Sequence, residues 1–178
     1  VRIEEELYGD AILTALPFRL VRAGPLPGFR LVPGFEMRGA LWIAVDLGGI
    51  ELQVVTTHLG VLAAEQKMQV AALLGHEWLG SPDCRGPLVL TGDLNAVSAT
   101  RPYRMLAARL HDAHPPPRRR TFPSRRPLIR IDHIFVSSEI EALGVEVPRG
   151  PMERLASDHL PVLATLRIRE VPGLLRQA

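Results

Sequence analysis

The sequence predicts a layered α/β or α+β domain built around a mixed β-sheet. Short apolar or β-branched runs of strand length alternate with two segments of helical periodicity. Two of the strands flank a Gly-Gly turn as a hairpin, whereas the next strand follows only after a helix-length segment, which implies a crossover. Because hairpins and a crossover place strands in both directions, we do not expect a doubly wound parallel sheet.

Six segments are predicted as strands because they are short and rich in apolar or β-branched side chains. They cover residues 11–16, 41–46, 52–57, 87–90, 131–136 and 160–168. Pro17 closes the first of them, since a proline cannot donate to a β-ladder. Gly48 and Gly49 connect the second and third through a tight turn. The fourth continues directly into the segment 91–93.

Two segments are predicted as helices from the spacing of their apolar residues. Residues 65–79 place their apolar side chains on one face, and the Gly-Ser-Pro sequence that follows ends this helix. Residues 101–110 carry Pro102 in the first turn, where a proline is tolerated. The proline-rich segments 24–34 and 114–130 are predicted as loops.

The composition excludes several classes of protein. The chain has 178 residues, 47% hydrophobic and 22% charged, as in an ordinary globular domain rather than a disordered chain. Its single cysteine cannot support a disulfide framework, and no apolar run approaches the length of a membrane span. No signal peptide is visible, so a cytoplasmic location is the default expectation. The net charge of +2 is too small to indicate nucleic-acid binding by itself.

Polar residues occur in four short segments, and each segment lies at one end of an apolar run. Because strand ends at one edge of a sheet converge, these residues could share one pocket. They are His58, Asp93, Asn95, Asp132, Asp158 and His159. Taken singly, a histidine after a strand is more often a structural residue, and an Asp-x-Asn segment is more often a turn. Four such segments in this order favour a shared site.

The chemistry open to this set is narrow. Carboxylate and amide oxygens suit Mg²⁺ or Mn²⁺ rather than Zn²⁺. A histidine backed by a carboxylate can move protons near neutral pH, and an asparagine can orient a water or hold a phosphoryl oxygen. Together these groups suit in-line attack of water on a phosphate ester. No serine or cysteine lies beside the histidines in a nucleophile-elbow pattern, so covalent catalysis is not expected.

The motifs resemble those of the endonuclease/exonuclease/phosphatase superfamily, from about Tyr8 to Leu166. The matching segments are Tyr8-Gly9-Asp10-Ala11-Ile12-Leu13, Thr57-His58-Leu59, Gly92-Asp93-Leu94-Asn95, Ile131-Asp132-His133-Ile134 and Ser157-Asp158-His159. The resemblance implies a deoxyribonuclease I-like fold, an α+β four-layer α/β/β/α sandwich. It also implies a metal-dependent phosphoesterase that uses Mg²⁺ or Mn²⁺.

The resemblance also implies a role for each motif residue. His159, paired with Asp132, would be the general base or the histidine that polarises the phosphate. Asp93 would position the attacking water or a metal, and Asn95 would orient it and the phosphate. His58 would be a phosphate ligand and could act as the acid to the leaving group. The metal ligands implied are Asp158, Asp93 and Asn95.

The chain departs from the family pattern at its start. The family's first strand ends in an asparagine, and its second carries a Gln-Glu pair whose glutamate is the main Mg²⁺ ligand. Both would precede Tyr8, so we expect an N-terminally truncated domain over residues 1–168, followed by a tail over 169–178. Asp10 replaces the usual asparagine and could bring a carboxylate near the site, although a capped strand end is the simpler reading. Because the later motifs are intact, we expect a piece of a longer enzyme rather than a decayed homologue.

Arginines are concentrated in the loop that precedes Asp132. The candidate substrate-binding residues among them are Arg118, Arg120, Arg125 and Arg126, and Arg119 and Arg130 lie in the same stretch. Arginine can clamp a phosphate with two parallel hydrogen bonds, so one interpretation is a phosphate-binding rim. The other is a solvated loop in an arginine-biased sequence. Phe122 could stack on a base or pack into the core, and packing is the favoured interpretation.

The first functional hypothesis is a phosphoesterase acting on a phosphodiester or phosphomonoester. The alternative is a catalytically impaired fragment or homologue that binds phosphate or nucleic acid. A calcineurin-like dinuclear phosphoesterase also uses Gly-Asp but requires a Gly-Asn-His-Glu segment, which the sequence lacks. The sequence leaves the substrate open among DNA, RNA, nucleotides, phosphoinositides and sphingomyelin. No obligate protein partner is expected.

Overall fold

The computed structural model describes residues 2–3, 6–7, 9–29, 36–114 and 119–169. Within these residues the strands are β1 (Arg2–Ile3), β2 (Glu6–Leu7), β3 (Phe18–Pro25), β4 (Gly39–Asp46), β5 (Glu51–Thr57), β6 (Leu88–Asp93), β7 (His111–Asp112), β8 (Asp132–Val136), β9 (Ile140–Glu146) and β10 (Leu163–Ile168). The helices are α1 (Ala63–Leu73), α2 (Arg101–Ala107) and α3 (Pro151–Ala156). None of the described helices is long and apolar enough to cross a bilayer.

A six-stranded mixed sheet forms the centre of the structure, in the order β3-β4-β5-β6-β8-β7. Its neighbouring strands are antiparallel except β5 and β6, which run parallel. Helix α1 lies in the crossover between these two, since parallel neighbours cannot be joined by a tight turn. The predicted mixed sheet with a hairpin and one crossover is therefore confirmed.

Side chains alternate between the two faces of the central sheet. On β8, Phe135 belongs to a cluster that includes Val70 of α1 and Leu106 of α2, so the helices cover this face. Val136, one residue further on, belongs to a second cluster with Ile140 and with residues of β9 and β10. Successive strand residues point to opposite faces, so one strand contributes to both cores.

Strands β9 and β10 form a separate antiparallel pair that covers the second face of the central sheet. The described residues thus build a helix layer, a central sheet and a second sheet. A further two-stranded pair joins β1 and β2. The α+β class expected from the motifs is confirmed.

Two predictions near the start of the chain are wrong. Residues 11–16 form no strand; instead β3 begins at Phe18, just after Pro17. Leu13 is 98% exposed, so the apolar side chain of this residue does not pack into the core. The predicted loop over 24–34 also starts too early, because β3 extends to Pro25. A proline is tolerated there because β3 lies at the edge of the sheet that the described strands form.

Both predicted helices end earlier than their apolar periodicity suggested. Helix α1 stops at Leu73, and Trp78 and Leu79 reach the same core from tight turns around Gly75. Helix α2 stops at Ala107. Strand β9 is not predicted from the sequence, because Gly144 and the two glutamates of this strand interrupt the run of apolar residues that indicates a strand.

Candidate active site

The candidate active site lies where β5, β6 and β8 end at one edge of the central sheet. In the antiparallel pairing of β6 with β8, Asp93 stands directly opposite Asp132. His58 follows the last residue of β5, which runs parallel to β6. Val89 and Val136 point toward the second sheet, and the two-residue alternation places Asp93 and Asp132 on that same side. Strand pairing therefore brings together His58, Asp93 and Asp132, which lie far apart in the chain.

A glycine allows the ends of β5 and β6 to approach. Gly92 has φ +142°, a value that side-chain-bearing residues rarely adopt. A Cβ at this position would overlap the backbone carbonyl oxygen of Thr57. The glycine of the Gly-Asp segment is thus required by the close approach of the strands, and it sets the position of Asp93.

His159 is held by Asp132. The ring nitrogen Nδ1 lies 3.0 Å from both carboxylate oxygens of Asp132, which makes Nδ1 the protonated nitrogen. Burial by itself would lower the pKa of His159, but the hydrogen bond and charge of Asp132, aided by Asp93 and Asp158, raise it above its ordinary value. The other nitrogen, Nε2, lies 3.8 Å from Asp93 Oδ2 and faces the centre of the site.

Asp93 and His58 form the second half of the site. His58 Nε2 lies 3.3 Å from Asp93 Oδ2 and 3.2 Å from Asn95 Nδ2. Burial, followed by the positive charge of Arg38, lowers the pKa of His58 to about 4, so the ring is neutral near pH 7 and the contact with Asp93 is not an ion pair. Burial also raises the pKa of Asp93; the negative charge of Asp132 adds to this rise, whereas the hydrogen bond from the Asn95 N–H opposes it.

Asn95 is fixed in an uncommon backbone conformation. Its φ is +48°, a region that asparagine tolerates better than most residues. Its backbone N–H donates to Asp93 Oδ1 at 2.8 Å, and its side-chain Nδ2 donates to the Leu59 carbonyl oxygen at 2.9 Å. These two bonds orient the amide between the Asp93 carboxylate and the segment that carries His58.

Asp158 lies at the rim of the site rather than among the grouped carboxylates. Its side chain is exposed and accepts a hydrogen bond of 3.4 Å from the Ser157 hydroxyl. Its backbone carbonyl accepts a 2.6 Å hydrogen bond from the Ser124 N–H. The cluster of possible metal-binding groups among the described residues consists of Asp93, Asp132 and His159, whose ligand atoms lie within 4.8 Å of one another. The structure thus brings together five of the six motif residues and leaves Asp158 at their edge.

The arginine-rich loop is attached to the site on both sides of His159. Thr121 accepts a backbone hydrogen bond from Leu160 N–H at 2.8 Å, and the Phe122 ring lies 4.8 Å from the His159 ring, centre to centre. The favoured interpretation that Phe122 packs into the core is wrong, because Phe122 is half-buried and belongs to neither core cluster. Its ring packs against the candidate base instead.

The predicted rim arginines divide into two groups. Arg120, Arg125 and Arg126 are exposed, and Arg118 lies outside the described residues. Arg130 is different, because its side chain is 7% exposed and makes a bidentate pair with Asp112. The rim interpretation is wrong for Arg130, since a buried guanidinium paired with Asp112 is not available to a ligand.

Two arginines beside the rim, Arg149 and Arg154, are not predicted from the sequence. Arg149 donates to the Arg120 carbonyl oxygen at 3.4 Å, and Arg154 donates to the Arg125 carbonyl oxygen at 3.1 Å. Each pair is separated by 29 residues, so no local pattern could have linked them. A third missed residue, Arg38, lines a cavity of about 480 Å³ together with Asp10 and His58.

The donor set fits a hard divalent cation. Asp93 and Asn95 offer a carboxylate and an amide oxygen, the ligand types that Mg²⁺ and Mn²⁺ prefer. Burial, with the negative charge of Asp132 as a smaller cause, raises the pKa of Asp93, and a bound cation would favour its ionised form.

Comparison with known proteins agrees with the fold and the motifs. The family model described as "Endonuclease/Exonuclease/phosphatase family" matches residues 5–159. The chain therefore belongs to the endonuclease/exonuclease/phosphatase family, which confirms the resemblance carried by the motifs.

Individual relatives are distant in sequence. The chain is 29% identical over 168 residues to the uncharacterized protein YbhP of Escherichia coli K12, covering 90% of this chain and 63% of the relative. The chain thus spans less than two thirds of the length of this relative. A solved endonuclease/exonuclease/phosphatase structure from Bacteroides vulgatus matches with a TM-score of 0.68 at 22% identity, over 85% of this chain and 67% of that one. A mannosyl-6-phosphatase of Bacteroides thetaiotaomicron matches with a TM-score of 0.67 at 21% identity, over the same shares. These structures support the deoxyribonuclease I-like fold.

Proposed function

We propose that this chain is a catalytic domain, over residues 1–168 with a tail over 169–178, that hydrolyses a phosphate ester by direct attack of water. The observation that carries the proposal is the Asp132–His159 pair, whose free ring nitrogen faces Asp93 at 3.8 Å. This arrangement supplies a proton acceptor next to a carboxylate that can hold the nucleophile. Within this family a phosphodiester and a phosphomonoester both remain candidate substrates.

His159 acts on the proton of the attacking water. Asp132 accepts a hydrogen bond from Nδ1–H, which leaves Nε2 as the acceptor in the neutral ring. Nε2 takes the water proton as the water oxygen bonds to phosphorus, and Asp132 stabilises the resulting imidazolium. The ester P–O bond on the opposite side of the phosphorus breaks, and the leaving-group oxygen departs and takes up a proton from solvent. The same carboxylate restricts ring rotation, so the base is already oriented before substrate binds.

Asp93, Asn95 and His58 position the reacting groups. The Asp93 carboxylate accepts a hydrogen bond from the water that His159 deprotonates. The neutral His58 ring makes one of two hydrogen bonds: a protonated Nε2 donates to Asp93, and an unprotonated Nε2 accepts from Asn95. In the first of these states one Asn95 N–H remains for a phosphoryl oxygen.

Mg²⁺ or Mn²⁺ is the proposed cofactor. Asp93 and Asn95 would hold it, and Asp158 is a further proposed ligand from the rim. The cation, when bound, neutralises negative charge on the phosphoryl oxygens.

The exposed arginines form the proposed substrate-binding rim. Arg120, Arg125 and Arg126 lie on the loop that packs on His159 through Phe122, so a bound phosphate chain would extend from the site onto them. Arg118 belongs to the same proposal from the sequence. These contacts would hold phosphates away from the reacting centre and so contribute to binding.

The test is hydrolysis of bis-p-nitrophenyl phosphate and p-nitrophenyl phosphate by the 178-residue chain, with Mg²⁺, with Mn²⁺ and with a chelator. We expect metal-dependent release of nitrophenol that falls by about 10²–10⁴ in Asp93→Ala and His159→Ala. His76→Ala, at an exposed histidine outside the site, is the matched control and should retain wild-type activity. Wild-type rates in either site variant would contradict the proposal.

A second candidate function is binding of phosphate or nucleic acid without catalysis. The exposed arginines beside the site favour it, because arginine side chains supply the salt-dependent part of nucleic-acid binding. This function would appear as salt-sensitive binding of an oligonucleotide with no turnover under any metal.

A further inference from the structure

Helix α1 buries polar side chains where an amphipathic helix would bury apolar ones. Gln66 is 2% exposed and Gln69 is fully buried, and both lie beside Val70 and Leu73 on the face that packs against the sheet. Burying an amide costs free energy unless its hydrogen bonds are replaced. The partners of these two glutamines therefore indicate what the helix holds in place.

The two glutamines hydrogen-bond the loops that carry the candidate site, but only Gln66 reaches both of them. Gln66 Nε2 donates to the carbonyl oxygens of Gly60 and Asn95, each at 2.9 Å. Gln69 Oε1 accepts a hydrogen bond of 2.8 Å from the Gly60 N–H. Gln66 thus joins the segment after His58 to the segment after Asp93 through one side chain, whereas the hydrogen bond of Gln69 reaches only the first.

Gln66 contacts Asn95, a residue whose backbone has an unfavourable positive φ. At φ +48° Asn95 occupies a sparsely populated region, and its side chain must reach Leu59 and the neighbourhood of His58 from that conformation. A small rotation of the Asn95 peptide would move the amide away from both. The Gln66 hydrogen bond opposes that rotation because it fixes the direction of the Asn95 carbonyl.

We propose that Gln66 is a positioning residue for catalysis, which holds Asn95 in register with His58 by hydrogen-bonding the backbone of both loops. The inference rests on the proposed phosphoesterase function and adds a residue that touches neither substrate nor metal. It differs from a general stabilising role, because Gln69 has the same burial on the same helix but lacks the bond to Asn95.

The test compares Gln66→Met with Gln69→Met in the full chain, alone and combined with Asn95→Ala. Methionine has a similar length and fits a buried site, but it cannot donate to the two carbonyls. We expect Gln66→Met to lower kcat by about 10–100-fold while KM changes less than about threefold. Losses of this size are typical when a residue that orients a functional group, without touching the substrate, is removed. Gln69→Met should lower kcat far less. In the Asn95→Ala background Gln66→Met should change kcat by less than about twofold, because the residue it positions is gone.

A spectroscopic measurement supplies a second readout that needs no turnover. The side-chain amide signals of Asn95 in a nitrogen–proton NMR spectrum are assigned by their loss in Asn95→Ala. Gln66→Met should shift or broaden this pair, and Gln69→Met should leave it in place. If Gln66→Met fails to fold, Gln66→Leu also fits a buried site and removes both donors.

The outcomes separate this inference from the function on which it rests. An inactive wild-type chain would overturn the phosphoesterase proposal, and the NMR comparison would still decide the role of Gln66. Equal losses of kcat in Gln66→Met and Gln69→Met would overturn the positioning role, as would a full additive loss in the Asn95→Ala background. Unchanged Asn95 signals in Gln66→Met would overturn it independently.

Discussion

The buried pair of Arg130 and Asp112 gives the sharpest prediction about stability. The two side chains are 7% and 5% exposed and make a bidentate contact. Asp112 also accepts hydrogen bonds from the Tyr103 hydroxyl at 2.6 Å and the His114 N–H at 3.0 Å. Burial alone would raise the pKa of Asp112, but these bonds, with that of Arg130 the strongest, lower it to about 2.

The perturbation is Arg130→Met, which leaves a buried carboxylate without its cation. Removing one partner of a buried ion pair costs about 3–5 kcal/mol of unfolding free energy at pH 7. The lowered pKa gives a second magnitude, since a fall from about 3.9 to about 2 is worth roughly 2–3 kcal/mol. A depressed folded-state pKa stabilises above the unfolded pKa, so this contribution is complete above about pH 4 and is lost as the pH falls through about 2.

The assay is urea unfolding at pH 7 and at steps between pH 5 and pH 2. Wild type should lose stability across the lower part of this range, and Arg130→Met should show a large loss at pH 7 and a weaker dependence on pH below 4. The matched control is Arg19→Met, which breaks a 3.3 Å pair with Glu51 whose side chains are 56% and 55% exposed. That control should cost at most about 1 kcal/mol.

Two results would refute this reasoning. If Arg130→Met costs no more than Arg19→Met, the pair does not support the fold. If Arg130→Met keeps the wild-type pH dependence below pH 4, the guanidinium is not what lowers the pKa of Asp112.

Three further predictions concern the candidate site. Gly92→Ala should destabilise the fold by about 2 kcal/mol or more in urea unfolding, because the new Cβ overlaps a carbonyl of β5 at a positive φ; a change below about 0.5 kcal/mol would contradict the strand contact. Asp132→Asn should reduce kcat by about 10²–10⁴ with little change in KM, since His159 loses the carboxylate that orients it; unchanged kcat would remove Asp132 from the mechanism. The double variant Arg125→Gln/Arg126→Gln should raise KM several-fold and flatten its salt dependence at constant kcat; an unchanged salt dependence would place the substrate elsewhere.

Prediction of the fold succeeded where local pattern and final burial agree. Residues 41–46 and 52–57 were read as a hairpin, and they lie inside β4 and β5, whose buried side chains alternate or run continuously as a covered sheet requires. The prediction of a strand over residues 11–16 is wrong because apolar residues do not by themselves specify a strand. A strand also needs a neighbour to pair with, and the segment that pairs with β4 begins after Pro17.

The burial of individual arginines in the loop before Asp132 could not be predicted from the sequence. Arg125, Arg126 and Arg130 look alike in the sequence, yet the first two are exposed and the third is buried against Asp112. Their environments depend on which residues from distant parts of the chain face them, and Asp112 arrives through the pairing of β7 with β8. No local spacing rule carries that information.

The sequence by itself determined the family and the set of motif residues, because both depend on side-chain type and on order along the chain. Only the tertiary structure decided how these residues come together. The register of β6 with β8 places Asp93 opposite Asp132, and the close approach of Gly92 to the backbone of Thr57 brings His58 beside them. It also decided that Asp132 faces the site while His133, its neighbour, is buried against the Ala96 carbonyl oxygen on the other face. The physical reason is that strand pairing and side-chain alternation act between segments far apart in the chain, where sequence spacing has no fixed relation to distance.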